Sequence, residues 1–129
     1  MTMLALYAVA LAIFLAVDVL WLKLVAAPMF RRQLGPIMLD DPKMGVAALF
    51  YAAYVAGVVY FAAAPALAGG GVAAAARDGA LFGLFCYGTY EATNLATLKG
   101  WTLRLAAIDT AWGAVVTAVT AAGAVAVVG

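Results

Sequence analysis

No histidine occurs in this sequence, and cysteine occurs only once, at Cys86. Without imidazole the chain lacks the usual acid–base group of neutral pH, the commonest metal ligand and any bis-histidine seat for haem. A single thiol can form neither a disulfide within the chain nor a thiolate zinc site. Lying inside a hydrophobic run, Cys86 reads as a small packing residue. Charge is scarce too, 10% of 129 residues with a balance of +1, and Arg31 and Arg32 are the one adjacent basic pair. Such dispersed charge makes no basic patch, so nucleic acid is not an expected partner, and neither a metal nor a cofactor is expected. The polar stretches of a water-soluble domain are missing as well. Hydrophobic residues make up 69% and the mean hydropathy is +1.12, which points to an integral membrane protein whose first partner is lipid.

A helix needs about 20 residues to cross the hydrocarbon, so four crossings fit in a chain of this length. The first apolar run covers 3–27, broken only by Asp18 and Lys23. It has no basic leader region and no small-residue cleavage site before Asp18, which predicts a retained helix and not a signal peptide. Pro28 lacks an amide proton and is expected to end it. The stretch 28–43, PMFRRQLGPIMLDDPK, holds three prolines and five charges, and reads as a loop with a short interfacial turn near 29–34. The second helix, 44–68, carries no charge, and Gly69, Gly70 and Gly71 break it. Arg77 and Asp78 precede a third run over 79–98, which carries Glu91 and Asn94. Lys99 and Gly100 make a tight connection, Trp101 is placed as an interfacial anchor, and the fourth helix covers 103–128 with Asp109 inside.

The expected fold is therefore all-α: one transmembrane domain over 1–129, a four-transmembrane-helix antiparallel bundle with short loops. Six of the seven basic residues flank the first and third loops, which places those loops in the cytoplasm and both termini outside. Gly79 and Gly83, and the row Gly113, Thr117, Thr120 and Gly123, are suited to close helix packing.

A charge within hydrocarbon costs several kcal/mol, so Asp18, Glu91 and Asp109 each need a partner, a wet cavity or a functional reason. Counted from the cytoplasmic helix ends, at about 1.5 Å of rise per residue, all three fall in one layer roughly 9 to 14 Å deep. Carboxyls close together at that depth cannot all ionise without cations. Asp18 and Trp21 are three residues apart, Asp109 and Trp112 repeat the spacing, and Tyr87, Glu91 and Asn94 share a stripe. Tyr51 and Tyr54 reach a similar depth. Together these nine residues form the candidate ligand- or proton-binding site, an acidic pocket walled by aromatics. The plainer readings stay open beside it. Tyrosines at helical spacing serve as packing or belt residues, Asn94 bonds across helices, and Lys23 and Arg104 neutralise Asp18 and Asp109. VDVLW and IDTAW invite an inverted-repeat reading, but their flanks do not align.

The segment YEATNLATLKGW (90–101), with Asp18, Trp21, the PMFRRQLG stretch and the Trp112–Gly113 pair, resembles DUF2177, a family of predicted bacterial membrane proteins. The likeness covers nearly the whole chain; Glu91 stands where the family is expected to have aspartate, which keeps the acid. What the resemblance implies is four helices in a bacterial inner membrane and no activity. The encoding of its members near lipid-modifying enzymes of the cyclopropane-fatty-acid type hints at lipid or lipid metabolism.

Three functions remain in competition. One is binding or transport of a proton-coupled, cationic or lipid-like small molecule, with the tryptophans and tyrosines as an aromatic cage and a homodimer completing the path. Another is an accessory subunit or assembly factor of a larger membrane complex. The last is a lipid-modifying enzyme using paired carboxylates as acid and base, although no nucleophile elbow, phosphate loop or metal-ligand set supports it.

Overall fold

In hydrocarbon every backbone N–H and C=O must find its partner inside the chain, which leaves an apolar sequence of this length with helices. The structure, a computed structural model, describes residues 2–129. It consists of four rods and, among the described residues, no strand. They are α1 (Thr2–Ile37), α2 (Met44–Ala68), α3 (Gly71–Thr97) and α4 (Leu103–Val128). The first, second and fourth are long and apolar enough to cross a membrane. At 27 residues α3 is equally long but less apolar, and it packs most extensively against α4. The result is an antiparallel helical membrane bundle.

Two boundaries differ from those the sequence predicts. Pro28 does not end the first helix. Leu22–Ala26 form a π-helical turn in which the Ala27 N–H reaches back to the Leu22 carbonyl. An α-helix then runs over Ala27–Leu34, followed by a 3-10 turn at Gly35–Ile37. The widened turn moves away the carbonyl that the proline ring would strike, and places Pro28 at the start of a new α segment, where its missing N–H costs little. Only 38–43 is left as loop. In α2 the same device recurs, a π turn at Val59–Ala63 followed by Pro65. Both prolines follow two alanines, in Ala26–Ala27–Pro28 and Ala63–Ala64–Pro65.

The third helix begins earlier than expected, at Gly71 and not Gly79. Ala73 to Ala76 are the strongest helix formers available, and the turn is left to Gly69 and Gly70, the latter at φ +99°. At the other end of the bundle, Gly100 at φ +83° turns the chain. The Thr102 hydroxyl then caps α4 by accepting from the Leu105 N–H at 3.1 Å.

Packing follows rows of every fourth residue. On α1 the buried row is Leu6, Ala10, Phe14 and Asp18. On α3 it is Ala75, Gly79, Gly83 and Glu91, with Tyr87 half-buried between the last two. On α4 it is Leu105, Gly113, Thr117, Ala121 and Val125, with Asp109 half-buried in the same line. Ridges of this spacing interlock, and here the small residues let two backbones touch. A Cβ at Gly83 would run into the Gly113 carbonyl oxygen, and one at Gly79 would lie 2.8 Å from the Thr117 carbonyl oxygen. A Cβ at Gly113 would enter the Tyr87 ring. That register, continued toward the third loop, brings Glu91 beside Asp109. A smaller cluster of Met29, Leu34 and Leu105, packed with Phe30 and Trp101, closes this end.

Candidate functional site

Asp18 ends the inward row of α1 and is 4% exposed. Its Oδ1 accepts from the Trp112 indole N–H at 3.1 Å. Trp112 in turn stacks on Trp21, with ring centroids 4.4 Å apart and planes 4° from parallel. The two D-x-x-W segments, on α1 and α4, thus meet face to face in space. The Trp21 indole N–H is buried without an acceptor, and the Tyr51 hydroxyl lies beside the Asp18 carboxyl. Outside the tryptophan pair runs an apolar groove of about 290 Å³, lined by Val17, Leu20, Leu24, Val25 and the two indoles.

Glu91 is fully buried. Its Oε1 accepts from the Trp101 indole N–H at 2.8 Å, while its Oε2 has no donor. The neighbouring group across the helix seam is the Asp109 carboxyl, within hydrogen-bonding reach. Trp101 is held edge-on by Phe30 at 5.9 Å and by Tyr90 at 6.0 Å. A strap from the Thr102 hydroxyl to the Gln33 side-chain oxygen ties the third loop to the extension of α1. The three acids therefore divide into a Glu91–Asp109 pair and a single Asp18, with Asp109 near enough to Asp18 to feel its charge. Among the described residues no three acidic, histidine or cysteine side chains converge as a metal site. Neither Lys23 nor Arg104 neutralises an acid: among the described residues the one ion pair is Arg77–Asp78 at 2.9 Å, in the first two turns of α3.

Tyrosines fill the space between. Tyr54 and the Thr117 hydroxyl share a hydrogen bond of 2.8 Å, and Tyr54 lies against Phe14, Phe82 and Tyr87. Tyr51 packs edge-on to Phe14 at 5.5 Å. Asn94 sits elsewhere on α3, beside the Tyr90 hydroxyl. Two residues escaped the sequence reading. Trp101, placed by the sequence as an interfacial anchor, also donates its indole N–H to Glu91. Thr117, read only as a small packing residue, pairs with Tyr54. The four-residue rows of small side chains carry the signal for Thr117, because aligning Gly83 with Gly113 sets Thr117 in register with α3.

The family model DUF2177, described as a predicted membrane protein, matches residues 3–126, and the chain belongs to that family. Comparison with curated proteins and with solved structures finds no match.

Proposed function

We propose that this DUF2177 protein binds or carries a small proton-coupled, cationic or lipid-like molecule inside the bilayer, with Asp18 as anionic anchor and the Trp21–Trp112 stack as aromatic wall. The observation that supports this is the setting of Asp18. It is buried, accepts from the Trp112 indole with the Tyr51 hydroxyl beside it, and among the described residues has only these neutral partners and no ion pair. A carboxylate at lipid depth with so little compensation is costly, and a cation or proton donor beside it offsets that cost. The indole faces add cation–π attraction, and the unpaired Trp21 N–H adds a donor for a ligand oxygen. The apolar groove offers an approach from lipid. Tyr51, Tyr54 and Tyr87 form the rest of the wall, and Glu91 and Asp109 bring the proton.

With six of the seven basic residues at the end that carries the first and third loops, that end faces the cytoplasm of a bacterial inner membrane and both termini face outward. A homodimer would supply the second wall of a transport path. The test is equilibrium binding of tetraalkylammonium ions and amphiphilic amines to the purified protein across a pH series. Saturable binding lost in Asp18→Asn and weakened about tenfold in Trp112→Phe supports the reading. No binding by the wild type to any member of the series sinks it.

A second reading, an accessory subunit of a larger complex, is favoured by the outward face of α2. There Phe50, Tyr60 and Phe61 are 61%, 71% and 59% exposed, a row suited to a partner helix as well as to lipid. A stoichiometric partner retained after mild solubilisation would move the conclusion there. An altered acyl composition in a deletion strain would instead support lipid-modifying chemistry.

A further inference from the structure

Two carboxylates cannot touch in a low-dielectric layer, because like charges a few ångströms apart repel strongly and no water screens them. Glu91 and Asp109 nevertheless lie within hydrogen-bonding reach, held there by a helix seam that leaves no room for a methyl group at Gly83. The seam fixes where the backbones are, so the side chains must resolve the conflict. The unsatisfied atom shows how. Glu91 is 0% exposed; Trp101 occupies its Oε1, and its Oε2 lacks a donor. A buried polar atom left unpaired costs about 1–3 kcal/mol, more if charged. One hydrogen shared between the carboxyls removes the repulsion, and placed on Oε2 it turns the orphan acceptor into a donor.

We propose that Glu91 and Asp109 form a proton-binding site, one proton shared between two carboxyls and latched at the membrane surface by the Trp101 indole. The ligand is a proton, and it belongs to the pair and not to either acid. The groups that bear on the pair are acids and phenols: Asp18 from α1, Tyr51 from α2, and Tyr87 and Tyr90 from α3. Among the described residues no lysine or arginine forms an ion pair with either carboxyl, so protonation is the available neutralisation. Trp101, in the third loop, covers Glu91 on this side, and its neighbours Phe30 and Tyr90 together with the Gln33–Thr102 strap hold it there. Exchange of the proton with water at this end therefore passes Trp101. Loss of the proton leaves two adjacent anions, and the bond from Trp101 to Glu91 is the contact that registers the change.

This site deepens the reading of the acidic, aromatic pocket by supplying its proton, and it rests on residues other than Asp18. The chain has three tryptophans, so the full-length double variant Trp21→Phe/Trp112→Phe in lipid nanodiscs leaves Trp101 as the sole indole emitter. Its emission is followed against pH. The expected result is one reversible transition, lost in Glu91→Gln and lost or displaced in Asp109→Asn. Infrared spectroscopy of the protein at neutral pH should show a protonated carboxyl band that persists in Asp18→Asn and disappears in Glu91→Gln. A pH-independent Trp101 emission, a transition that survives Glu91→Gln, or a wild-type spectrum without a protonated carboxyl band overturns the proposal. Should neither the glutamine nor the asparagine variant fold, the infrared spectra of the wild type and Asp18→Asn decide the matter. Amine binding at Asp18 is read separately, so failure of one site leaves the other standing.

Discussion

The two halves of the bundle solve the same problem differently. α1 and α2 each contain a π turn followed by Ala-Ala-Pro, and bend where the ladder of hydrogen bonds widens. α3 and α4 run without interruption and press glycine against backbone along their shared seam. The interrupted half provides Asp18, one turn before the π segment of α1. The seamed half provides Glu91 and Asp109. A proton pair needs a fixed distance, which the seam imposes. The ligand anchor proposed for Asp18 needs a wall that can yield, and π turns are frequent at functional sites. The contrast suggests why the acids are divided as they are.

The contrast is broken most severely at the seam. Gly83→Ala should destabilise the protein by about 3 kcal/mol or prevent folding, since the new methyl meets a backbone carbonyl and not a flexible side chain. The matched control is Gly88→Ala, whose Cβ would lie an ordinary 3.5 Å from Thr110. It should be neutral or stabilise by up to about 1 kcal/mol through helix propensity. Reversible unfolding in mixed micelles reads both. Next in size is deletion of Ala26, which removes the extra residue of the π turn. The arm 27–37 would turn by about 100° and lift Met29, Phe30 and Leu34 from Trp101, a loss of about 2 kcal/mol. Trp101 emission should shift to the red. Pro28→Ala, which keeps the residue count, should leave that emission in place. Smaller still is Thr117→Val, expected to cost about 0.6 to 1 kcal/mol through the lost bond to Tyr54. A double-mutant cycle with Tyr54→Phe should recover that coupling. The smallest effect is expected at the solvent-exposed Arg77–Asp78 pair, where Asp78→Asn should give no measurable change in the same unfolding assay.

Much of this architecture can be read from hydropathy. The uncharged run 44–68 and the glycines after it mark α2 to the residue, and the small residues of α3 and α4 announce a close crossing. The extension of α1 could not be read that way. Proline is a reliable helix stop only when the preceding turn is α-helical, and nothing in LKLVA distinguishes a π turn from an α turn before packing selects it. Neither the level of Asp18 nor the grouping of the acids was legible. A count of depth needs the helix end, and α1 runs on to Ile37 instead of stopping at Ala27, while Glu91 meets Asp109 because of a lateral register set by Gly83 and Gly113. The bond from Trp101 to Glu91 was hidden for a related reason. A tryptophan after Lys-Gly at a helix end usually anchors in the headgroups, and only the tight reversal at Gly100 sends its indole back to Glu91.

The Gln33–Thr102 strap has a consequence for how the two membrane faces breathe. On its side, the end of α1, the third loop and the start of α4 are laced together by one hydrogen bond, an aromatic contact and the Met29–Leu34–Leu105 cluster. On the opposite face, Gly69 and Gly70 join α2 to α3 with no side chain to hold them. Amide hydrogen exchange should therefore be lopsided across the bilayer, slow from the capped Leu105 amide of α4 onward and fast around the glycine turn. Severing the strap with Gln33→Ala should bring the two faces closer to parity.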